Sequence, residues 1–182
     1  MGKKHLRPYG ICTGNYGKET AIWLTADSSR HGYLKEAFFY IVADEGIPNT
    51  KFRVHVYNLD SSRYWPDQDI TDSNVILHAD KGDEWVSVDL SSKKIPVGRG
   101  VFISMEWIAG QGNNPKFINA KYEAQRNFNG QVLAFTQGYY KEGSLMYSRR
   151  VLSSKWNAIN LAGTSKRNVL NPMVYCTYNY IK

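Results

Sequence analysis

Hydrophobic and polar residues alternate with a period of two along several segments of the chain. Residues 52–57, 85–90 and 101–107 each place every second side chain on an apolar face, with mostly polar side chains between them. Such alternation is typical of antiparallel strands that have one buried and one solvated face. We therefore predict strands in these segments. The apolar residues expected to be buried together are Phe52, Val54, Val56, Val86, Val88, Ile103, Met105 and Trp107.

Shorter segments of strand character recur along the rest of the chain, separated by turn signals rich in Gly, Asn, Asp and Pro. They occupy residues 21–25, 32–42, 75–79, 131–136, 145–150, 155–160 and 173–180. About ten short strands and no long helical period predict an all-β, two-sheet antiparallel β-sandwich of jelly-roll or galactose-binding-like type. Residues 1–182 are expected to form a single domain, because no linker, repeat or low-complexity tract interrupts them.

Two longer stretches, residues 59–74 and 109–129, lack the strand pattern and are expected to be irregular loops. Loops of this length in a compact domain are often functional. Trp and Tyr at loop tips supply rigid contact area for a sugar or a protein partner. The alternative is that these rings fold back against the ends of the sandwich. The candidate ligand-binding residues are Tyr64, Trp65, Tyr139 and Tyr140.

Trp65 is the leading candidate among these residues, because the alternation gives it no core position. Trp85 and Trp107, by contrast, are expected to fill core positions in their strands. The neighbouring Pro66 would stiffen the backbone beside Trp65. A stiff ring held in water is the arrangement that stacking on a sugar requires.

The formal net charge of +7 is spread along the chain in short pairs such as Lys93-Lys94. A nucleic-acid partner is not expected, because its binders usually cluster their basic residues on one face. An anionic glycan or lipid headgroup stays open as a ligand. Membrane insertion is not expected, because no apolar run approaches the roughly 18 residues of a membrane span. No apolar segment of the kind that forms a signal peptide follows Lys3-Lys4.

Residues 59–74 are rich in carboxylate and amide oxygens, which are the ligands that calcium prefers. Their spacing does not match an EF-hand loop, and Asp also forms turns by bonding to its own backbone. We expect no cofactor and no metal ion required for folding, with a calcium site as the alternative. The residues concerned are Asp60, Asp67, Asp69, Asp72 and Asn74.

No catalytic residues are predicted. The four histidines show no metal-ligand spacing, and His55 is expected to be solvated because it alternates out of an apolar face. Asp89 and Glu106 likewise point outward and would form the carboxylate pair of a glycosidase if they converged in a groove. Cys12 and Cys176 lie near opposite ends of the chain. A bridge between terminal strands and two buried free thiols are both possible, and the free thiols are favoured.

The segment W-V-S-V-D-L at 85–90, followed by F-I-S-M-E-W at 102–107, resembles part of a known bacterial module. This is the C-terminal module of Bacteroidetes proteins that carry a carboxypeptidase-like regulatory domain. The late V-L-N-P-M-V-Y-C-T-Y is similar to its closing strand, and the resemblance runs from about Gly32 to the end of the chain. It implies an exported, envelope-associated, non-catalytic β-sandwich. The resemblance brings no functional residues with it.

Two hypotheses follow from the sequence. The first is a non-catalytic binding or structural module of a bacterial cell envelope, with a glycan or a cell-surface protein as its ligand. The second is a divergent glycan-active enzyme that uses a carboxylate pair. The oligomeric state is not predicted.

Overall fold

The computed structural model describes residues 9–10, 17–42, 51–81, 83–108, 132–138, 145–151, 153–159 and 169–181. Within these ranges the chain forms strands and one short 3-10 turn, Ser91–Lys93, and none of them contains a helix long and apolar enough to cross a membrane. The strands are β1 (Tyr9–Gly10), β2 (Lys18–Thr25), β3 (Gly32–Val42), β4 (Phe52–Asp60), β5 (Trp65–Asp69), β6 (Val75–Leu77), β7 (Glu84–Asp89), β8 (Gly100–Trp107), β9 (Val132–Gly138), β10 (Met146–Arg150), β11 (Asn157–Ala158), β12 (Val169–Pro172) and β13 (Val174–Tyr180).

The strands assemble into two antiparallel sheets. In the first sheet the order is β1-β9-β3-β13, with β12 also paired to β9 and β7 to β3. In the second sheet the order is β11-β10-β2-β8-β4-β5, with β6 paired to β4. The predicted all-β, two-sheet β-sandwich is confirmed. Local alternation was sufficient for this prediction because each strand buries one face against the opposite sheet.

The hydrophobic core lies between the two sheets. The Phe39 ring from the first sheet meets the Phe52 ring from the second, with centroids 5.4 Å apart and planes at 66°. All eight residues predicted for the core belong to this cluster. Six of the eight are buried. Val86 and Val88 are half-buried, because β7 pairs with β3 and with no other strand among the described residues.

A β-bulge in β3 shifts the alternation of that strand. Leu34 and Ala37 are both buried although they are three residues apart, and Lys35 between them is exposed. The pairing with β13 shifts between Thr177 and Tyr178, which leaves Lys35 as the additional residue. Beyond the bulge the buried residues are Ala37, Phe39 and Ile41, and the half-buried residues on the opposite face are Phe38 and Tyr40.

The prediction of an irregular loop at residues 59–74 is wrong. Strand β4 continues to Asp60, the chain turns, and β5 returns beside it with Trp65 opposite Asp60. The register shifts between Tyr57 and Leu59, which breaks the alternation that would have marked the strand. In β5, Pro66 is tolerated because this strand pairs with β4 alone.

Other sequence predictions need smaller changes. The predicted strand at 155–160 is reduced to Asn157–Ala158, and the one at 75–79 to Val75–Leu77. Cys176 is a free, half-buried thiol on β13, and burial raises its pKa. Cys12 and the predicted loop at 109–129 lie outside the described residues.

We expect Gly100→Ala to destabilise the fold by about 1–3 kcal/mol. Gly100 has a φ of 149°, and an added Cβ would collide with the carbonyl oxygen of Leu24 on the neighbouring strand. Gly98 is the matched control in the same turn, because nothing lies within 4 Å of the position of its Cβ. Urea denaturation of both variants tests this. Equal stability of Gly100→Ala and wild type would contradict the register of β2 and β8.

Candidate functional site

Four aromatic side chains lie together on the outer face of the first sheet, and we call them the aromatic patch. Phe38 and Tyr40 are on β3, Trp85 is on β7 and Tyr175 is on β13. Trp85 is 43% exposed and Tyr175 is 44% exposed, while the other two are half-buried. The aromatic patch thus exposes the rings of Trp85 and Tyr175, and the half-buried rings of Phe38 and Tyr40 lie beside them.

The rings of the aromatic patch contact one another in a fixed arrangement. Phe38 and Tyr175 are opposite each other in register and stack, with centroids 4.3 Å apart and planes at 6°. Trp85 is opposite Tyr40 and meets it at 5.3 Å and 78°, and it meets Tyr175 at 5.1 Å and 71°. Offset-stacked and edge-to-face pairs are the favoured geometries for aromatic rings. Each ring is therefore held in place by its neighbours.

The outer face of the second sheet carries a different feature, a group of ionic side chains that we call the carboxylate network. Strand register places Arg149, Glu19, Glu106 and Arg53 side by side on β10, β2, β8 and β4. The two carboxylates are therefore direct neighbours, with one guanidinium on each side. Both are buried, Glu19 at 1% exposure and Glu106 at 7%.

Glu19 is held by three donors from three different strands. Its Oε1 accepts hydrogen bonds from the Tyr57 hydroxyl at 2.7 Å and the Ser104 hydroxyl at 2.6 Å. Its Oε2 accepts from Arg149 Nε at 2.8 Å. Burial and the Glu19 charge raise the pKa of Tyr57, so the phenol keeps its proton and stays a donor.

Glu106 is held by Arg53 and His55. Its Oε2 accepts from Arg53 Nη1 at 2.6 Å and lies 2.8 Å from His55 Nε2, while His55 Nδ1 lies 2.6 Å from Asp69 Oδ2. Burial alone would lower the pKa of His55, but its hydrogen bonds to Asp69 and Glu106 outweigh burial and raise it. Two flanking carboxylates favour the ring with a proton on both nitrogens. The expectation that His55 is solvated is wrong.

Trp156 packs beside the Arg149 end of the carboxylate network. The Arg149 guanidinium lies 4.4 Å from the centroid of the Trp156 ring, and Tyr57 meets that ring at 5.5 Å and 80°. Trp156 is itself buried and belongs to a second, smaller apolar cluster. The buried members of this smaller cluster are Ala21, Tyr57, Phe102 and Trp156.

The carboxylate network ties four strands of the second sheet together. Glu19 accepts from protein donors through both of its oxygens, and Glu106 Oε2 is shared by Arg53 and His55. Asp89 lies on β7 of the first sheet and Glu106 on β8 of the second, so the outward pair considered for a glycosidase does not converge.

The structure places two of the four predicted ligand-binding residues at the turn between β4 and β5. Tyr64 is 55% exposed and has a φ of 57°. Trp65 is half-buried, packs against the smaller apolar cluster and donates its indole N–H to Asp60 Oδ2 at 3.1 Å. The expectation that Trp65 has no packing position is wrong. Tyr139 and Tyr140 lie outside the described residues.

Two of the Asp residues considered for calcium form turns. Asp60 Oδ1 accepts from the Ser62 backbone N–H at 2.8 Å, and Asp69 Oδ1 accepts from that of Thr71 at 2.9 Å. These are the local bonds that make Asp a turn residue. Among the described residues, no group of three or more His, Cys, Asp or Glu side chains is arranged to hold a metal ion.

Sequence reasoning placed Trp85 in the core and therefore missed the aromatic patch. The signal was present in the alternation of β7, because a strand that buries Val86 and Val88 turns Trp85 to the other face. The carboxylate network had a weaker signal. Arg53, His55 and Tyr57 share the outward phase of β4, but their partners are far away in sequence.

Comparison of the chain with protein-family models, with curated proteins and with solved structures found no match. The resemblance to the Bacteroidetes module therefore stays a prediction, and function has to be argued from the geometry alone.

We expect Glu106→Gln to lower the free energy of unfolding by about 2–4 kcal/mol, because it leaves Arg53 and His55 without their shared anion. Asp89→Asn is the matched control, because Asp89 is exposed and accepts a hydrogen bond from the Ser91 backbone. It should change stability by about 0.5 kcal/mol or less. Urea denaturation measures both. A stable Glu106→Gln variant would show that the carboxylate network does not hold the sheet.

The raised pKa of His55 predicts a pH dependence of stability. The stabilising contribution of the charged ring is complete below the unfolded value of about 6.5 and is lost as pH rises through the folded pKa. Stability of the wild type should fall over that range, and His55→Gln should flatten the fall. NMR titration of the imidazole, with urea denaturation at each pH, tests this. A folded pKa below about 6.5 would contradict it.

Proposed function

We propose that this chain is a non-catalytic glycan-binding module and that the aromatic patch is its binding surface. One observation carries the proposal: four aromatic rings contact one another on a sheet face that is not needed for the core. Single exposed apolar residues are ordinary, whereas a contiguous exposed group marks a binding surface. The inner face of the same strands already packs against the second sheet.

The composition of the aromatic patch favours a sugar over a protein as the ligand. Protein interfaces mix aromatic rings with Met and Arg around an apolar centre. The outward positions next to the patch instead carry Ser87, Glu36 and Asp89, which are hydroxyl and carboxylate groups. Rings that stack on the C–H face of a sugar, beside groups that bond its hydroxyls, form an amphipathic site of the kind that Tyr and Trp provide.

The aromatic patch is rigid before any ligand binds. Its side chains rise from three hydrogen-bonded strands, and the rings restrict one another. Tyr and Trp have two side-chain torsions, so ordering them on binding costs little entropy. A preorganised surface of this kind retains more of its contact energy as affinity.

The location and the remaining alternatives are part of the same proposal. A cell-envelope location follows from the resemblance and is consistent with a glycan ligand. A cell-surface protein is the second ligand class that the sequence predicts, after a glycan. Tyr64 and Trp65, predicted from the sequence, form the alternative contact surface, and the exposure of Tyr64 supports this for Tyr64 more than for Trp65. The enzyme alternative gains no support, because Asp89 and Glu106 lie on different sheets.

We expect Trp85→Ala and Tyr175→Ala each to weaken glycan binding by about tenfold or more, because exposed rings that anchor a ligand dominate its affinity. Their melting temperatures should stay close to wild type, since both rings are exposed. A glycan-array screen identifies ligands, and affinity electrophoresis then compares the variants.

Tyr64→Ala is the control, because it removes an exposed ring at the turn between β4 and β5, away from the aromatic patch. It should bind as the wild type does. Full binding by both patch variants, with loss in Tyr64→Ala, would place the ligand at the turn between β4 and β5 instead.

A further inference from the structure

We infer that the aromatic patch selects glycans that carry positive charge, that is, amino sugars with free amino groups, over neutral and acidic chains. This inference rests on the proposed function and deepens it by naming the ligand class. It is carried by the placement of carboxylates around the rings.

Two carboxylates border one end of the aromatic patch. Glu36 on β3 and Asp89 on β7 are directly opposite each other in register. They lie two residues along their strands from Phe38 and Ser87, which form the neighbouring opposite pair. Like charges directly opposite one another in a sheet are destabilising. A ligand cation beside this pair would relieve that repulsion.

A further carboxylate lies near the other end of the aromatic patch. Asp83 directly precedes β7, two residues before Trp85. Burial raises the pKa of Tyr40, and the negative charge of Asp83 raises it further. Asp83 has an additional interaction of its own. The charge selectivity is therefore assigned to Glu36 and Asp89, and Asp83 is not required for it.

The acidity of this border is local. Lys35, the bulge residue, lies close enough to Asp89 to contribute to lowering its pKa, after the stronger hydrogen bonds from Ser91. Lys94 follows the 3-10 turn after β7, and its ammonium lies 5.9 Å from the centroid of the Tyr33 ring on β3. Among the described residues, Lys35 is the ammonium that acts on Asp89, so this border carries two carboxylates to one ammonium although the whole chain has a net charge of +7.

The ammonium groups of a sugar chain that spans the aromatic patch would gain from two sources. A cation over an aromatic face is worth about 0.5–1 kcal/mol at an exposed site. Each exposed ion pair adds about 0.2–1 kcal/mol. A carboxylate or sulfate on the sugar would instead be repelled by Glu36 and Asp89. The same rings therefore favour cationic sugars and disfavour anionic ones.

A matched series of β-1,4-linked tetrasaccharides tests the inference, because its members differ mainly in the group on C2. The members of this series are cellotetraose, the N-acetylglucosamine tetramer and the glucosamine tetramer. Tetragalacturonate, which is α-1,4-linked, is added as a separate acidic probe. Titration calorimetry is run at low salt and at about pH 6, where a sugar amine is protonated. We expect the glucosamine tetramer to bind about threefold to tenfold more tightly than cellotetraose, and this ratio to shrink as salt is added.

Three variants make the test specific. Trp85→Ala should abolish binding of the cationic and the neutral tetramer alike. The double variant Glu36→Gln/Asp89→Asn should lose the preference for the glucosamine tetramer over cellotetraose, because the two amides can still bond sugar hydroxyls but carry no charge. Asp67→Asn, which removes an exposed carboxylate from the second sheet, should keep that preference.

The failure of this inference and of the proposed function are distinguishable. Equal affinity for the cationic and neutral tetramers, lost in Trp85→Ala, would overturn the charge selectivity and leave glycan binding at the patch intact. Tightest binding of tetragalacturonate through Trp85 would do the same. Binding of the glucosamine tetramer that survives Trp85→Ala, or no binding of any tetramer, would also overturn the inference. The glycan-array comparison then decides the proposed function.

Discussion

Two buried carboxylates on neighbouring strands, Glu19 and Glu106, impose the strongest constraint on this structure. A buried carboxylate is costly unless donors surround it. The donors to Glu19 and Glu106 come from β4, β8 and β10, so these strands and β2 must all be in register for either charge to be satisfied. The requirement buries part of the outer face of the second sheet, around Glu19, Tyr57 and Glu106. Strands β2 and β8 are consequently buried on both faces, although the alternation in β8 reads as if one of them were solvated.

The outer face of the first sheet differs from that of the second. Among the described residues, the first sheet holds no buried carboxylate. Its outer face carries the stacked and edge-to-face rings around Trp85 instead. On the second sheet, the outward polar side chains bond to one another. On the first sheet, the outward side chains are aromatic rings with the carboxylates of Glu36 and Asp89 beside them. Four rings thus remain on a face of the first sheet that the core does not use, and this difference locates the proposed glycan surface.

Alternation along the chain was enough to predict the two sheets and the residues between them, from Phe52 to Trp107. The position of Trp85 was also readable, because its phase opposes that of Val86, but hydrophobicity was given more weight than phase. Two features had no local signal. The burial of His55 depends on Glu106, 51 residues away, and the continuation of the hairpin into β5 depends on a register shift that hides the period. A period of two along the sequence does not show which distant residues pair, and a bulge interrupts it.

The five tryptophans allow the central claim to be tested residue by residue, because each indole N–H gives its own NMR signal. Titration with the glucosamine tetrasaccharide should shift the signal of Trp85. The signals of the core residue Trp107, the buried Trp156 and the half-buried Trp23 and Trp65 should stay in place. A saturable shift confined to Trp85 is the result that glycan binding at the aromatic patch predicts. A shift confined to Trp65, with Trp85 unchanged, would contradict it.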